Sequence, residues 1–224
     1  MDTLKTALWA KQFQESDEPQ AIVYAAAIPN AEFTDFSASP LFPPQRQAEI
    51  VACASEKAKR EKYFVWTLLA YAVQQSFGKD LREFSFHKSE NGKWHCDGFE
   101  FSLSHSGNAV CVALANTPVG VDIQVLRALK TQDFATKILS EAELAVYHAT
   151  PETEKNGFLL RAWTKKEAVF KARDEQSFFG AEPKTLTPDV WQTDLCVGGE
   201  SYSLSVATRD DCSLKNVTLS VIEL

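Results

Sequence analysis

The chain has 224 residues, 45% of them hydrophobic and 24% charged, with a formal net charge of −7. That balance fits a soluble globular protein long enough to bury a core, and the net negative charge argues against nucleic-acid binding through a broad positive field. The five cysteines, Cys53, Cys96, Cys111, Cys196 and Cys212, form no CxxC pair, so neither a zinc site nor a disulfide framework is suggested, and reduced thiols in a cytoplasmic protein are expected.

No apolar run approaches the ~20 residues needed to span a bilayer. The start, with Asp2, has no leader-type apolar core, so no membrane partner is expected. Ala21–Ile28 reads as a buried strand that ends at Pro29, and the Pro40–Pro44 region reads as a loop. From Gln45 to Phe77 the pattern is helical, in one or two pieces. Val65, Leu68, Leu69, Ala72 and Val73 recur at helical spacing, and Gly78 stands at the C-cap. Phe84–Phe86 and Trp94–Cys96 flank Asn91-Gly92, a hairpin signal. Strands follow at Phe101–Ser104, Val110–Ala115 and Val119–Ile123, the last two separated by Asn116-Thr117-Pro118.

We place a division there, with one half at 1–117 and a second at 118–224. The second half opens with helices. Ser140-Glu141-Ala142-Glu143 fits a capping box, with Leu139 and Leu144 as a hydrophobic staple. Asn156 to Arg173 reads as a longer helix, and strands follow at Trp191–Val197, Tyr202–Ala207 and Val217–Ile222. Phe101-Ser-Leu-Ser and Tyr202-Ser-Leu-Ser are a faint internal echo. The expected fold class is α+β, built as two similar halves.

Glu167 and Lys171 are four apart on the long second-half helix and share a face with Trp163. Alone they read as a surface ion pair worth a few tenths of a kcal/mol. Trp163 in the same row argues that the face is partly covered. Asp122 at a strand end and Glu167 on a helix are the type of oxygen donors a hard divalent cation takes together with phosphate oxygens and water. His105, followed by Ser106-Gly107, sits where a loop could present N–H groups and an imidazole to an anion; alone it also reads as a core histidine. The basic runs Lys57–Lys62 and Lys165–Arg173 read, by themselves, as solvated helix faces. G-x-S-x-G, GxxxxGK[ST] and GxGxxG are all absent, which removes a hydrolase elbow, a P-loop and a Rossmann fingerprint.

Three blocks, Phe101-Ser-Leu-Ser-His-Ser-Gly, Val119-Gly-Val-Asp-Ile-Gln and Trp163-Thr-Lys-Lys-Glu-Ala-Val-Phe-Lys, resemble those of the 4′-phosphopantetheinyl transferases, in the family's order. The resemblance is to the larger, Sfp-type, single-chain class and covers about residues 55–175. It implies two α+β halves related by pseudo-two-fold symmetry with the site between them. It also implies transfer of the 4′-phosphopantetheine arm of coenzyme A to a serine of an apo acyl or peptidyl carrier protein, in fatty-acid, polyketide or nonribosomal-peptide biosynthesis. Adenosine 3′,5′-bisphosphate is released. A cytoplasmic monomer with Mg2+ as cofactor is expected. By resemblance Asp122 and Glu167 are metal ligands, Glu167 assists deprotonation of the serine, and Lys171 meets the pyrophosphate. Ser104 and His105 contact the nucleotide side of the coenzyme, with Lys93 nearby and Lys59 and Lys62 near the 3′-phosphate.

Two positions depart from the family. Gln124 stands where a third acidic ligand is usual, leaving an amide oxygen or a water for that place. Trp66 stands where a basic residue is common. A non-catalytic carrier- or coenzyme-binding relative is the alternative reading; an unrelated Mg2+ enzyme does not account for the ordered blocks.

Overall fold

The computed structural model describes residues 16, 18–30, 41–127, 134–175, 190–209 and 214–224. The expectations at Asp2, Pro40 and Cys212 lie outside them; Cys53, Cys96, Cys111 and Cys196 are free thiols. The fold is α+β. Strands β1 (Gln20–Ala27), β4 (Glu100–Ser106), β5 (Ala109–Ala115) and β9 (Asn216–Ile222) form a sheet in the order β4-β5-β1-β9. Strands β6 (Val119–Val125), β7 (Trp191–Val197) and β8 (Glu200–Thr208) form a second, in the order β6-β8-β7. Strands β2 (Phe86–Lys88) and β3 (Trp94–Cys96) make a separate hairpin. The last strand, β9, leaves the second sheet and pairs in parallel with β1, with Gln20 opposite Asn216.

The helical stretch expected in one or two pieces is two helices, α1 (Pro44–Val51) and α2 (Glu56–Phe77). Ser55 caps α2 by accepting from Ala58 N–H, and Gly78, at φ 67°, ends it in the left-handed conformation. Of the boundaries that differ from the sequence reading, two have a local cause. Asp80 and Glu83 form a reciprocal cap around a 3-10 turn, Leu81–Glu83. This displaces the first hairpin strand to Phe86 and leaves Phe84 packed edge-on against Phe99. The long helix, α5 (Glu152–Arg173), begins before Asn156, because Pro151 fits the N-terminal edge and Glu152 and Glu154 suit the first turn. It follows α3 (Phe134–Ile138) and α4 (Glu141–Ala149), the latter with the expected capping box at Ser140 and Glu143.

Strand β5 is buried on both faces. Val110, Val112 and Leu114 pack with Trp66, Leu68, Leu69 and Phe101 in a core shared with α2. Ala109, Cys111 and Ala113 turn the other way, onto Val121, Ile123, Leu204 and Val206. Small residues on that side let the two sheets approach closely. Strand β6 thus gives its odd-numbered residues to the core between the sheets, and Gly120, Asp122 and Gln124 share the other face.

Candidate active site

The seam between β4 and β6 is made by side chains. Ser102, Ser104 and Ser106, at strand spacing on β4, accept the N–H groups of Val121, Ile123 and Val125 at 3.0, 3.2 and 3.1 Å. Two of these hydroxyls also donate. Ser104 Oγ reaches Asp122 Oδ1 at 2.8 Å, and Ser106 Oγ reaches Gln124 Oε1 at 3.2 Å. Each serine therefore satisfies a backbone donor on β6, and Ser104 and Ser106 at the same time orient polar side chains there.

Helix α5 crosses β6 at Gly120. A Cβ there would lie 1.9 Å from the carbonyl oxygen of Ala168 and 2.4 Å from the amide nitrogen of Ala172. Only glycine allows this contact between two backbones, and the contact brings Lys171 onto Asp122. Lys171 Nζ lies 2.7 Å from Asp122 Oδ1 and 3.1 Å from both Ser104 Oγ and the Val121 carbonyl oxygen. Asp122 is 2% exposed, and its second oxygen accepts from Gln124 Nε2 at 3.0 Å. A buried carboxylate is held here by one ammonium and two neutral donors.

Glu167 projects from the same helix one turn earlier. Its carboxylate makes no hydrogen bond or ion pair among the described residues. Burial and, after it, the charge of Asp122 raise its pKa, while Lys171 pulls it down. A half-buried, unpartnered carboxylate beside a second one fits a divalent cation, which would relieve that repulsion. The described residues contain no group of three or more His, Cys, Asp or Glu placed to hold a metal ion. Two carboxylates with the remaining positions left to water and phosphate match what Mg2+ takes. The Gln124 oxygen is committed to Ser106, so direct coordination through it requires the amide to turn.

His105 is the penultimate residue of the serine strand. Its Nδ1 lies 3.4 Å from Glu61 Oε2 on α2, a carboxylate only 13% exposed, while the His105 side chain is 43% exposed. Protein around the ring disfavours its charged form and lowers its pKa; Glu61 opposes this, and Lys171 and Arg46 reinforce it. Arg46, buried on α1, stacks over the Trp66 ring at 5.6 Å, pairs with Glu49 and donates to the Lys62 carbonyl oxygen. Trp66 is fully buried among Phe42, Phe86 and Trp94.

Lys93 Nζ donates to the Val119 carbonyl oxygen at 3.0 Å. It lines a cavity of about 260 Å³ with Asn91, Phe101, Ser102, Lys171 and Asp174. Burial lowers its pKa, and Glu100 and Asp174 hold it up. Lys59 pairs with Glu56 at 2.6 Å. Neither Lys59 nor Lys62 bonds to the Asp122 cluster among the described residues. A larger groove, about 950 Å³, lies between α4 and α5 and contains none of the expected site residues.

Sequence reasoning missed Glu61, Arg46 and Ser102, and it read His105 and Ser106 as loop residues where the structure keeps both on β4. The serines carried a signal in their two-residue spacing. Glu61 and Arg46 carried none, being charged residues inside basic or polar helical runs.

An α+β fold in which a strand carboxylate, a helix carboxylate and a lysine converge defines a class of site suited to phosphate chemistry. The family model described as the 4′-phosphopantetheinyl transferase superfamily matches residues 118–209, which hold all three. The chain is 25% identical over 175 residues to the 4′-phosphopantetheinyl transferase psf-1 of Bacillus pumilus, covering 70% of this chain and 74% of that one. It is 28% identical over 122 residues to the transferase AcpT of Salmonella typhimurium, covering 54% of this chain and 63% of the relative. To the transferase Sfp of Bacillus subtilis it is 24% identical over 107 residues, covering 46% and 47%. It thus spans less than two thirds of the latter two relatives. Residues 118–209 thus match the 4′-phosphopantetheinyl transferase superfamily, and the chain is similar to curated transferases of that family.

Proposed function

We propose that the protein transfers the 4′-phosphopantetheine group of coenzyme A to a serine of an apo acyl or peptidyl carrier protein, giving the holo carrier and adenosine 3′,5′-bisphosphate. The observation that carries this reading is the convergence of Asp122, Lys171 and Ser104 within 3.1 Å beside an unpartnered Glu167. A site made only for stability would leave no half-buried carboxylate without a partner.

The incoming serine oxygen attacks the β-phosphorus of the coenzyme's pyrophosphate, and the bond to the adenosine 3′,5′-bisphosphate oxygen breaks. Glu167, its proton affinity raised by burial and by Asp122, takes the serine proton directly or through a water. Lys171 meets the pyrophosphate and compensates charge on the departing phosphate. Asp122 and Glu167 would hold Mg2+, with Gln124 completing the set through its amide or a water. The bound ion supplies charge neutralisation and in-line alignment of the pyrophosphate. His105 and Lys93 face the nucleotide end, and Ser104 keeps Asp122 and Lys171 in register. Lys59 and Lys62 add positive charge on α2, whose Glu61 holds His105.

The division near residue 117 and the pseudo-two-fold relation of the halves belong to the same proposal. The serine alternation in both β4 and β8 supports them, as Ser203 and Ser205 are buried and accept from Gln192. No helix among the described residues is long and apolar enough to cross a membrane, and a cytoplasmic monomer is proposed.

Mass spectrometry of apo carrier proteins incubated with the protein, coenzyme A and Mg2+ tests the reading. One added phosphopantetheine per carrier, abolished by EDTA, is expected. A broad carrier panel that stays unmodified with Mg2+ or Mn2+ present overturns it.

A further inference from the structure

Among the described residues, Asp174 is the only non-glycine with a positive φ, at 55°. It ends α5 three residues beyond Lys171. Side chains other than glycine are strained in this conformation, though Asp tolerates it better than most. Nothing in capping α5 requires a carboxylate, and a negative charge at a helix C-terminus is unfavourable.

The carboxylate is fully engaged by the β2–β3 hairpin. Asp174 Oδ1 accepts from Ser89 Oγ at 2.9 Å, and Oδ2 lies 3.2 Å from His95 Nε2. Its carbonyl oxygen accepts from Asn91 Nδ2. Ser89 Oγ in turn accepts the Lys93 N–H at 3.2 Å, and the Lys93 carbonyl oxygen accepts the Ser89 N–H at 2.9 Å. One hydroxyl thus joins the end of the helix that carries Glu167 and Lys171 to the backbone of Lys93. The hairpin tip and the end of α5 wall the same 260 Å³ cavity, with Lys93 and Lys171 both lining it.

We infer that Asp174 is a positioning residue for coenzyme A, latching the hairpin to α5 through Ser89, Asn91 and His95 so that Lys93 and Lys171 flank one cavity at a fixed separation. The inference rests on the transferase reading above and assigns to this chain a residue that touches no reacting atom. A helix end and a hairpin tip that are free to part would have to be ordered again each time the nucleotide binds, which weakens binding.

The test compares wild type with Asp174→Gly, Asp174→Asn and Ser89→Ala. Glycine keeps the left-handed backbone without strain and removes only the carboxylate, and thermal unfolding verifies that this variant is folded. Calorimetry with coenzyme A and with adenosine 3′,5′-bisphosphate should show about tenfold weaker binding in Asp174→Gly, the scale of losing a charge-assisted hydrogen bond. In carrier modification most of that loss should appear in KM for coenzyme A and less in kcat. Asp174→Asn, which keeps an acceptor for Ser89, should recover most of the affinity. Ser89→Ala combined with Asp174→Gly should weaken binding less than the two single effects summed. A folded Asp174→Gly protein with wild-type affinity overturns the latch, as does a loss confined to kcat. Wild type that binds coenzyme A but modifies no carrier overturns the transferase reading instead. Wild type that does not bind the coenzyme overturns both.

Discussion

Lys171 Nζ sits 2.7 Å from Asp122 Oδ1, and Asp122 is 3% exposed at its side chain against 30% for Lys171. The carboxylate has left water, and the ammonium, still partly wet, is its one charged partner in direct contact among the described residues. Removing one member of a buried pair strands the other. Lys171→Met should therefore lower stability by about 3 kcal/mol, at the low end for such pairs because the ammonium is partly exposed. Urea unfolding without metal measures this. Mg2+ should restore more stability to the variant than it adds to wild type, since the cation replaces the lost positive charge. Turnover should not return with it. Unchanged urea stability would mean that Asp122 is not held by this lysine.

Glu167 makes the opposite prediction. An acid whose pKa is higher folded than unfolded binds its proton more tightly in the native state. Its ionisation therefore costs stability, beginning as pH rises above 4.5, the unfolded value, and complete above the folded pKa. Glu167→Gln should melt higher than wild type at pH 7.5, and the gap should close toward pH 4. The same variant should lose roughly 10²-fold or more in turnover, the usual worth of a positioned base. A melting point unchanged at pH 7.5 would place Glu167 in open water.

Gln124 shares one face of β6 with Asp122 and gives it a hydrogen bond at 3.0 Å. Gln124→Glu replaces that donor with a second negative charge. Without metal the variant should melt lower than wild type. With metal it should reach half-maximal carrier modification at a lower Mg2+ concentration, by severalfold, because a third carboxylate strengthens attraction for a dication. An equal or greater Mg2+ requirement would remove residue 124 from the metal.

The His105 ring faces Glu61 from α2, Lys171 from α5, Arg46 from α1 and Asp122 from β6. Its pKa lies below 6.5 in the free protein, so the ring is neutral at pH 7.5. A bound phosphate favours the imidazolium. Coenzyme A should therefore bind with net proton uptake and more tightly as pH falls toward 6. Calorimetry in buffers of different ionisation enthalpy reads the uptake directly. His105→Ala should abolish it. Glu61→Gln should weaken affinity by taking away the carboxylate that supports the charged ring. Binding with no buffer dependence would return His105 to a structural role.

The strand Val119–Val125 shows how far reading the sequence reaches. Its two-residue alternation told which residues share a face, and the structure places Gly120, Asp122 and Gln124 together. The period of α5 likewise put Glu167 and Lys171 in one row. What alternation cannot carry is which strand lies alongside. The serine seam was legible as a pattern, yet its partner became visible only when three hydroxyls met three N–H groups on β6. Gly120 appeared in the sequence as one more small residue in an apolar run. Its necessity comes from helix backbone 1.9 Å from where a Cβ would stand. Glu61 and Asp174 act across contacts far apart in the chain, and neither lies in a periodic pattern. The slip at Phe84 has a local cause, the Asp80–Glu83 cap, which was present in the residues and went unread.

The pairing of β1 with β9, Gln20 opposite Asn216, bears on how the protein is made. Strand β1 emerges from the ribosome before the other described strands, and its other neighbour, β5, follows well before β9. During synthesis β1 can zip onto β5 while its outer edge, the sequence Gln-Ala-Ile-Val-Tyr-Ala-Ala-Ala, stays open. An unpaired apolar edge of this kind templates intermolecular strand addition, and so distant a pairing closes slowly. The nascent chain therefore exposes an apolar edge at β1 until β9 arrives to cover it.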